Sequence, residues 1–137
     1  MLPLRELRKR VKKMIPKFRA WDKRENTMRD VAVLHFTKGG KVNSIEYWKT
    51  PSELKSYHVR NLVLMQSTGL KDKNGVEIFE GDIGWDDHLE VHGQVIFENG
   101  AFKYEWDNIS EDLFEVTDDI EIVGNIYENP ELLEVAE

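Results

Sequence analysis

The sequence predicts a mainly β fold, a β-rich α+β chain of short antiparallel strands with one or two short helices. Three observations predict it. From Met14 onward the dominant hydrophobic period is two. Gly-Gly and Asn-Gly pairs fall between the apolar runs, where hairpins turn. No stretch keeps a helical period over several turns. With 137 residues, 40% of them hydrophobic, the chain has material for one ordinary domain or two very small ones.

The elements follow in order. Residues 1–13 hold six basic residues and one acid, with Leu2, Leu4, Leu7 and Val11 on one side of a short helical pattern. They read as a basic leader. The run Arg8–Lys13 would be encoded by purine-rich codons, as a ribosome-binding site is, so synthesis is expected to begin at Met14. The intact mass of natively expressed protein checks this. Val31–Phe36 and Val42–Trp48 read as two strands closed by the Gly39-Gly40 turn. Thr50-Pro51-Ser52-Glu53 carries a capping-type signal before a weakly helical Leu54–His58. Asn61–Gln66 and Val76–Phe79 read as strands on either side of a turn-rich Gly69–Gly75. Leu89, Val91, Val95 and Phe97 alternate, and Asn99-Gly100 turns the chain into Ala101–Trp106. Ser110–Val116 is expected to form one or two helical turns, and Ile120–Ile126 a last strand. The expected organisation is a leader at 1–13, a β-hairpin region at 14–60, and a barrel-like β region with an acidic tail at 61–137.

Composition excludes several chemistries. The chain has no cysteine, which removes disulfides, thiol nucleophiles, zinc ribbons and Fe–S clusters, and suits a reducing cytoplasm. No apolar run approaches the roughly 18–20 residues that span a bilayer as a helix, so no membrane partner is expected. Charge is unevenly placed. Residues 1–30 carry eleven Lys/Arg against four Asp/Glu, a net of +7, which leaves −14 for the rest of a chain of net −7. No Lys or Arg follows Lys103, while twelve Asp/Glu lie between Glu105 and Glu137, and such a stretch cannot neutralise a phosphate backbone.

Possible catalytic groups are few. His88, Glu90 and His92 would share one face of a strand beside Asp86 and Asp87, a spacing that suits a carboxylate–bis-imidazole metal site. A polar loop entering an exposed strand has the same composition, and that reading is preferred, so no metal is expected. Glu80, Asp82, Asp118 and Asp119 read as solvated turn residues, not acid–base pairs. His35 and His58 stand alone. Neither phosphate-cradling glycine motif occurs, so no nucleotide cofactor is expected. Without a nucleophile or cofactor site, the chain is expected not to be an enzyme. Most aromatics read as core, although Trp21 beside Lys17, Arg19, Lys23, Arg24 and Arg29 has the composition of a base-stacking surface.

Three blocks then coincide. Met14–Asp22 (MIPKFRAWD), Met65–Ile83 (MQSTGLKDKNGVEIFEGDI) and Ile122–Leu133 (IVGNIYENPELL) resemble the YopX family of phage and prophage proteins in order and spacing. The departure is at Gly84-Trp85, where members more usually continue with an apolar residue and a Lys. The resemblance implies an SH3-like β-barrel in the C-terminal part, self-association, a phage or prophage origin and a host-cytoplasmic location. It brings no catalytic residues, because the family is of uncharacterised function.

The expected function is therefore a non-enzymatic accessory protein that binds a host or phage protein or forms a homo-oligomer. The candidate binding surface comprises Trp21, Lys17 and Arg19 together with Lys71, Asp72, Lys73 and Asn74 of the Gly69–Ile83 loop and Trp85, since rigid scaffolds often carry function on loops. The alternatives are a nucleic-acid binder using the basic N-terminal stretch, and an acidic mimic of DNA presenting Asp118, Asp119 and Glu121.

Overall fold

The computed structural model describes residues 17–134. The expected leader and Met14 start lie outside those residues, as does the end of the acidic tail. Among the described residues eleven strands and three single 3-10 turns make a mainly β protein, as the two-residue period predicts. The strands are β1 (Phe18–Asp22), β2 (Thr27–Phe36), β3 (Val42–Thr50), β4 (Glu53–His58), β5 (Leu62–Lys71), β6 (Glu77–Phe79), β7 (Asp82–Asp86), β8 (Val91–Glu98), β9 (Ala101–Trp106), β10 (Ile109–Asp112) and β11 (Ile120–Asn125). The chain divides into two compact units, residues 18–66 and residues 67 onward with Lys17.

In the first unit the strand order is β4-β3-β2-β1-β5, every neighbouring pair antiparallel. Ala20, Ile45, Tyr47 and Leu62 form its core, with Leu34, Tyr57 and Leu64 packed around them. Alternation puts Ile45 and Tyr47 inward and leaves Glu46 and Trp48 on the opposite face. The Gly39-Gly40 turn falls where expected, Gly40 N–H bonding Thr37 O at 2.9 Å. β4 corrects the helical reading of Leu54–His58. Pro51-Ser52 is a two-residue turn between paired Thr50 and Glu53, and Tyr57 faces Ile45 across the strands. Packing Tyr57 on that core outweighs a weak capping signal.

In the second unit β5 continues against β6, and five strands form a sheet in the order β10-β9-β8-β7-β11. The sheet is open, with β10 and β11 as edges, so the expected barrel does not close. β10, only four residues long, pairs with β9 alone. Ser110–Val116 makes only one of its expected helical turns. It splits into β10 and one 3-10 turn, Leu113–Glu115, that drops Leu113 fully into the core. That core comprises Ile78, Val95, Tyr104, Leu113, Val116 and Ile120, with Leu70, Phe102, Trp106 and Ile122 against it.

Candidate functional site

The eight candidate residues do not form one surface. In the first unit Trp21 is 8% exposed and serves the interior, which removes it as a stacking platform. Arg19 is half-buried on the same strand. The basic stretch around them is partly neutralised. Arg29 pairs with Asp22 and Glu25 while its guanidinium lies 4.7 Å from the Tyr47 ring centroid. In the second unit the Lys17 ammonium meets Glu77 at 2.8 Å, and Glu77 also accepts from Ser67 Oγ at 2.7 Å. Burial works to raise the Glu77 carboxyl, but these two bonds hold it below its ordinary value.

Asp72 is buried, not displayed. Its Oδ1 accepts the Asn74 and Val76 N–H groups at 2.8 and 2.9 Å, and its Oδ2 accepts the Ile122 N–H at 2.8 Å. Burial opposes ionisation, and the three backbone donors overcome it to hold the carboxyl below its ordinary value. Asp72 thus fastens the β5–β6 turn to β11. Lys71, Lys73 and Asn74 are exposed around it. Lys73 reaches Asp87 at 2.9 Å, and the Trp85 indole N–H donates to the other oxygen of Asp87 at 2.6 Å. The structure thus brings Lys73 and Trp85 together through one carboxylate. Trp85 also packs against His92, ring centroids 4.7 Å apart.

The expected His88–Glu90–His92 face does not form. Asp86 closes a turn by accepting the N–H groups of His88 and Leu89 at 2.8 and 3.1 Å, and Glu90 takes a positive φ of 54°. Only His92 is on β8. Among the described residues no cluster of three His, Asp or Glu could hold a metal ion. Asp82 accepts the Phe79 N–H at 2.7 Å in a buried turn, while Asp118 and Asp119 are exposed. His35 does not stand alone, since it meets Glu46 at 2.9 Å.

Two concave features went unread in the sequence. In the first unit a groove of about 510 Å³ is lined by Arg24, Lys55, Ser56, Tyr57, His58, Arg60 and Asn61. A helical reading of Leu54–His58 hid it. As a strand running into the 3-10 turn Val59–Asn61, the same residues line the outer edge of β4. In the second unit an apolar cleft of about 220 Å³ is lined by Leu70, Ala101, Phe102, Leu113 and Phe114, with Asp112 at its margin. Phe114 is 64% exposed there, and the half-exposed Phe97 packs on Phe102 with centroids 5.0 Å apart. Among the described residues no helix is long and apolar enough to cross a membrane.

Comparison with known proteins places this geometry. A family model described as YopX protein matches residues 17–134. The crystal structure of protein EF1440 from Enterococcus faecalis is similar, with 34% identity, a TM-score of 0.69, and coverage of 88% of this chain and 99% of that one. The crystal structure of protein yopX from Bacillus subtilis is similar in fold, with 24% identity, a TM-score of 0.63, and coverage of 86% and 98%. No curated protein matches the chain.

Proposed function

The chain belongs to the YopX family, whose function is uncharacterised, and from that premise we propose a non-catalytic phage- or prophage-encoded accessory protein that acts in the host cytoplasm by binding protein, first of all a second copy of itself. The opposed charge of its two units carries this reading. Residues 18–66 hold nine Lys/Arg against five Asp/Glu, and Lys17 with residues 67–137 hold four against twenty. Chains so divided attract one another head to tail.

Apolar contacts fit the same pairing. On the basic unit Trp48 and Leu54 face each other across β3 and β4 and are 47% and 41% exposed, beside Lys49 and Lys55. On the acidic unit Phe102 and Phe114 line the cleft, Phe97 packs on Phe102, and Asp112 at the margin is paired with Lys103 at 2.6 Å. A desolvated aromatic anchor in an apolar cleft with charges at its rim is the usual arrangement of a protein-binding hot spot. The Trp48–Leu54 pair of one copy would enter the cleft of the next. Light scattering of the full chain should find oligomers at low salt, loss of them on Trp48→Asp, and weakening as salt rises through about 0.5 M. A monomer at every salt and concentration would overturn self-association and turn the search to a host or phage protein captured from lysate.

The DNA-mimic reading draws on the same charge division, since Asp118 and Asp119 are exposed. Reversing Asp118, Asp119 and Glu121 should then abolish capture of a basic host protein.

A further inference from the structure

We propose that the groove along the edge of β4 is a binding site for phosphate esters, those of a nucleotide or of a single-stranded nucleic acid. It is lined by two arginines, a lysine, a histidine, a tyrosine, a serine and an asparagine, and by no carboxylate. It lies in the basic unit of a chain of net charge −7. Four other cations of the described residues are paired with carboxylates, Lys17 with Glu77, Arg29 with Asp22 and Glu25, Lys73 with Asp87, and Lys103 with Asp112. Arg24, Lys55 and Arg60 have no such ion pair among the described residues. Three unneutralised cations in one groove repel each other, and an anion relieves that repulsion.

The groove is positioned, not a chance of loose side chains. The fully buried Asp22 accepts the N–H of Arg24 at 3.0 Å and holds the β1–β2 turn. The N–H of Lys23 bonds the carbonyl of Asn61 at 2.9 Å, which ties that turn to the 3-10 turn. The Arg60 N–H donates to Nδ1 of His58 at 3.1 Å, so the neutral ring carries its proton on Nε2 as a further donor. The Arg24 guanidinium lies 5.6 Å from the Tyr57 ring centroid.

The donor set favours phosphate over carboxylate. Both anions match a guanidinium fork in two bonds, but a carboxylate brings one charge and two oxygens, whereas a phosphate brings further acceptor oxygens in a tetrahedral array for the remaining donors. The flat ring of Tyr57 beside them suits a base, which has a π face whatever its sequence. The groove's cations would displace counterions from a polyanion, so strand binding through this groove should fall as salt rises, even though salt also screens the repulsion from the chain's net negative charge.

The test uses the full chain with two probes, adenosine 5′-monophosphate and a labelled ten-nucleotide oligothymidylate, at low salt. Lys55→Ala/Arg60→Ala is compared with Lys38→Ala/Lys41→Ala, which removes the same charge from the β2–β3 turn. The expected result is at least a tenfold loss for the groove variant and less than a threefold loss for the control, together with backbone amide NMR shifts from the mononucleotide confined to Arg24 and residues 55–61. Binding of both probes assigns nucleotides in general, and binding of the oligomer alone assigns a strand; either supports the site. Equal losses in the two variants, shifts spread over many lysines, or displacement by a glutamate-rich peptide as readily as by the oligomer would overturn it.

Discussion

Asp72 shows at the scale of one residue how a binding candidate becomes a structural one. In the sequence it is a charged residue in a polar turn, and charge in a turn reads as display. In the structure its two oxygens take three backbone N–H groups, one inside the turn, one at its far end and one from β11, fifty residues away in sequence. An amide of the same shape offers only one acceptor oxygen, so Asp72→Asn should cost about 1–3 kcal/mol, read from urea unfolding at neutral pH. The pH dependence has a definite sign. Because the folded carboxyl lies below its ordinary 3.8, its contribution is complete above that value and disappears as pH falls through the lowered folded value. The wild type should therefore lose stability more steeply than the variant below about pH 4.

Gly93 is a second residue whose meaning depends on a distant partner. A Cβ there would run into the ring of Tyr104, and one on Gly84 would come within 2.9 Å of its hydroxyl. The two glycines, paired across β7 and β8, leave the space that the ring occupies. Burial, followed by the nearby Asp86 charge, makes the tyrosine hydroxyl there a weaker acid, with its pKa well above the ordinary range. Gly93→Ala should lower stability by about 1–3 kcal/mol through overpacking, seen as an earlier urea midpoint with an unchanged slope. Nothing in the local sequence announces this, since the collision involves β9. Gly84-Trp85 did stand out in the sequence as a departure, but the residue that requires Gly84 was not legible. Trp21 was misread for the same reason: its burial is decided by β2 and β5, not by its basic neighbours.

At the scale of elements, turns with a stereochemical signature were legible and strand-or-helix choices driven by packing were not. Asn99-Gly100 sits between paired Glu98 and Ala101 with φ of 53° and 79°, the mirror-image turn that its dipeptide predicts. The next hairpin uses the same geometry without the signature. Asp107 and Asn108 take φ of 44° and 65° between paired Trp106 and Ile109, so both pay a steric cost that glycine avoids. Asn108→Gly should raise stability by about 0.5–1 kcal/mol, measured by thermal unfolding, because it relieves strain at a position already turned. β4 failed as a helix because Tyr57 reaches its core from an extended segment, whereas Ser110–Val116 keeps a single 3-10 turn, and that turn carries Leu113 into its core. No local propensity reports where that core is. The 86–90 segment failed as a strand because Asp86 captures two following N–H groups and turns the chain before the alternation can act.

At the scale of the molecule, the charge division was legible from the sequence, but its match to two compact units was not, because the boundary runs through the middle of β5. In the proposed self-association the Trp48–Leu54 face of one copy meets the Phe102–Phe114 cleft of the next, two unlike surfaces. Such contacts are head to tail, and they close into rings or continue as filaments. Mixing variants separates this from a symmetric dimer. Trp48→Asp spoils the donor face and keeps the cleft, and Phe114→Asp spoils the cleft and keeps the donor. Each alone should be monomeric. Mixed in equal amounts, they should form a one-to-one dimer that grows no further, since one sound donor meets one sound cleft and no second contact remains. Light scattering with a mass-tagged partner reads the composition directly. In a symmetric interface using one patch on both copies, mixing would rescue nothing, and a mixture that stays monomeric would discard the head-to-tail arrangement.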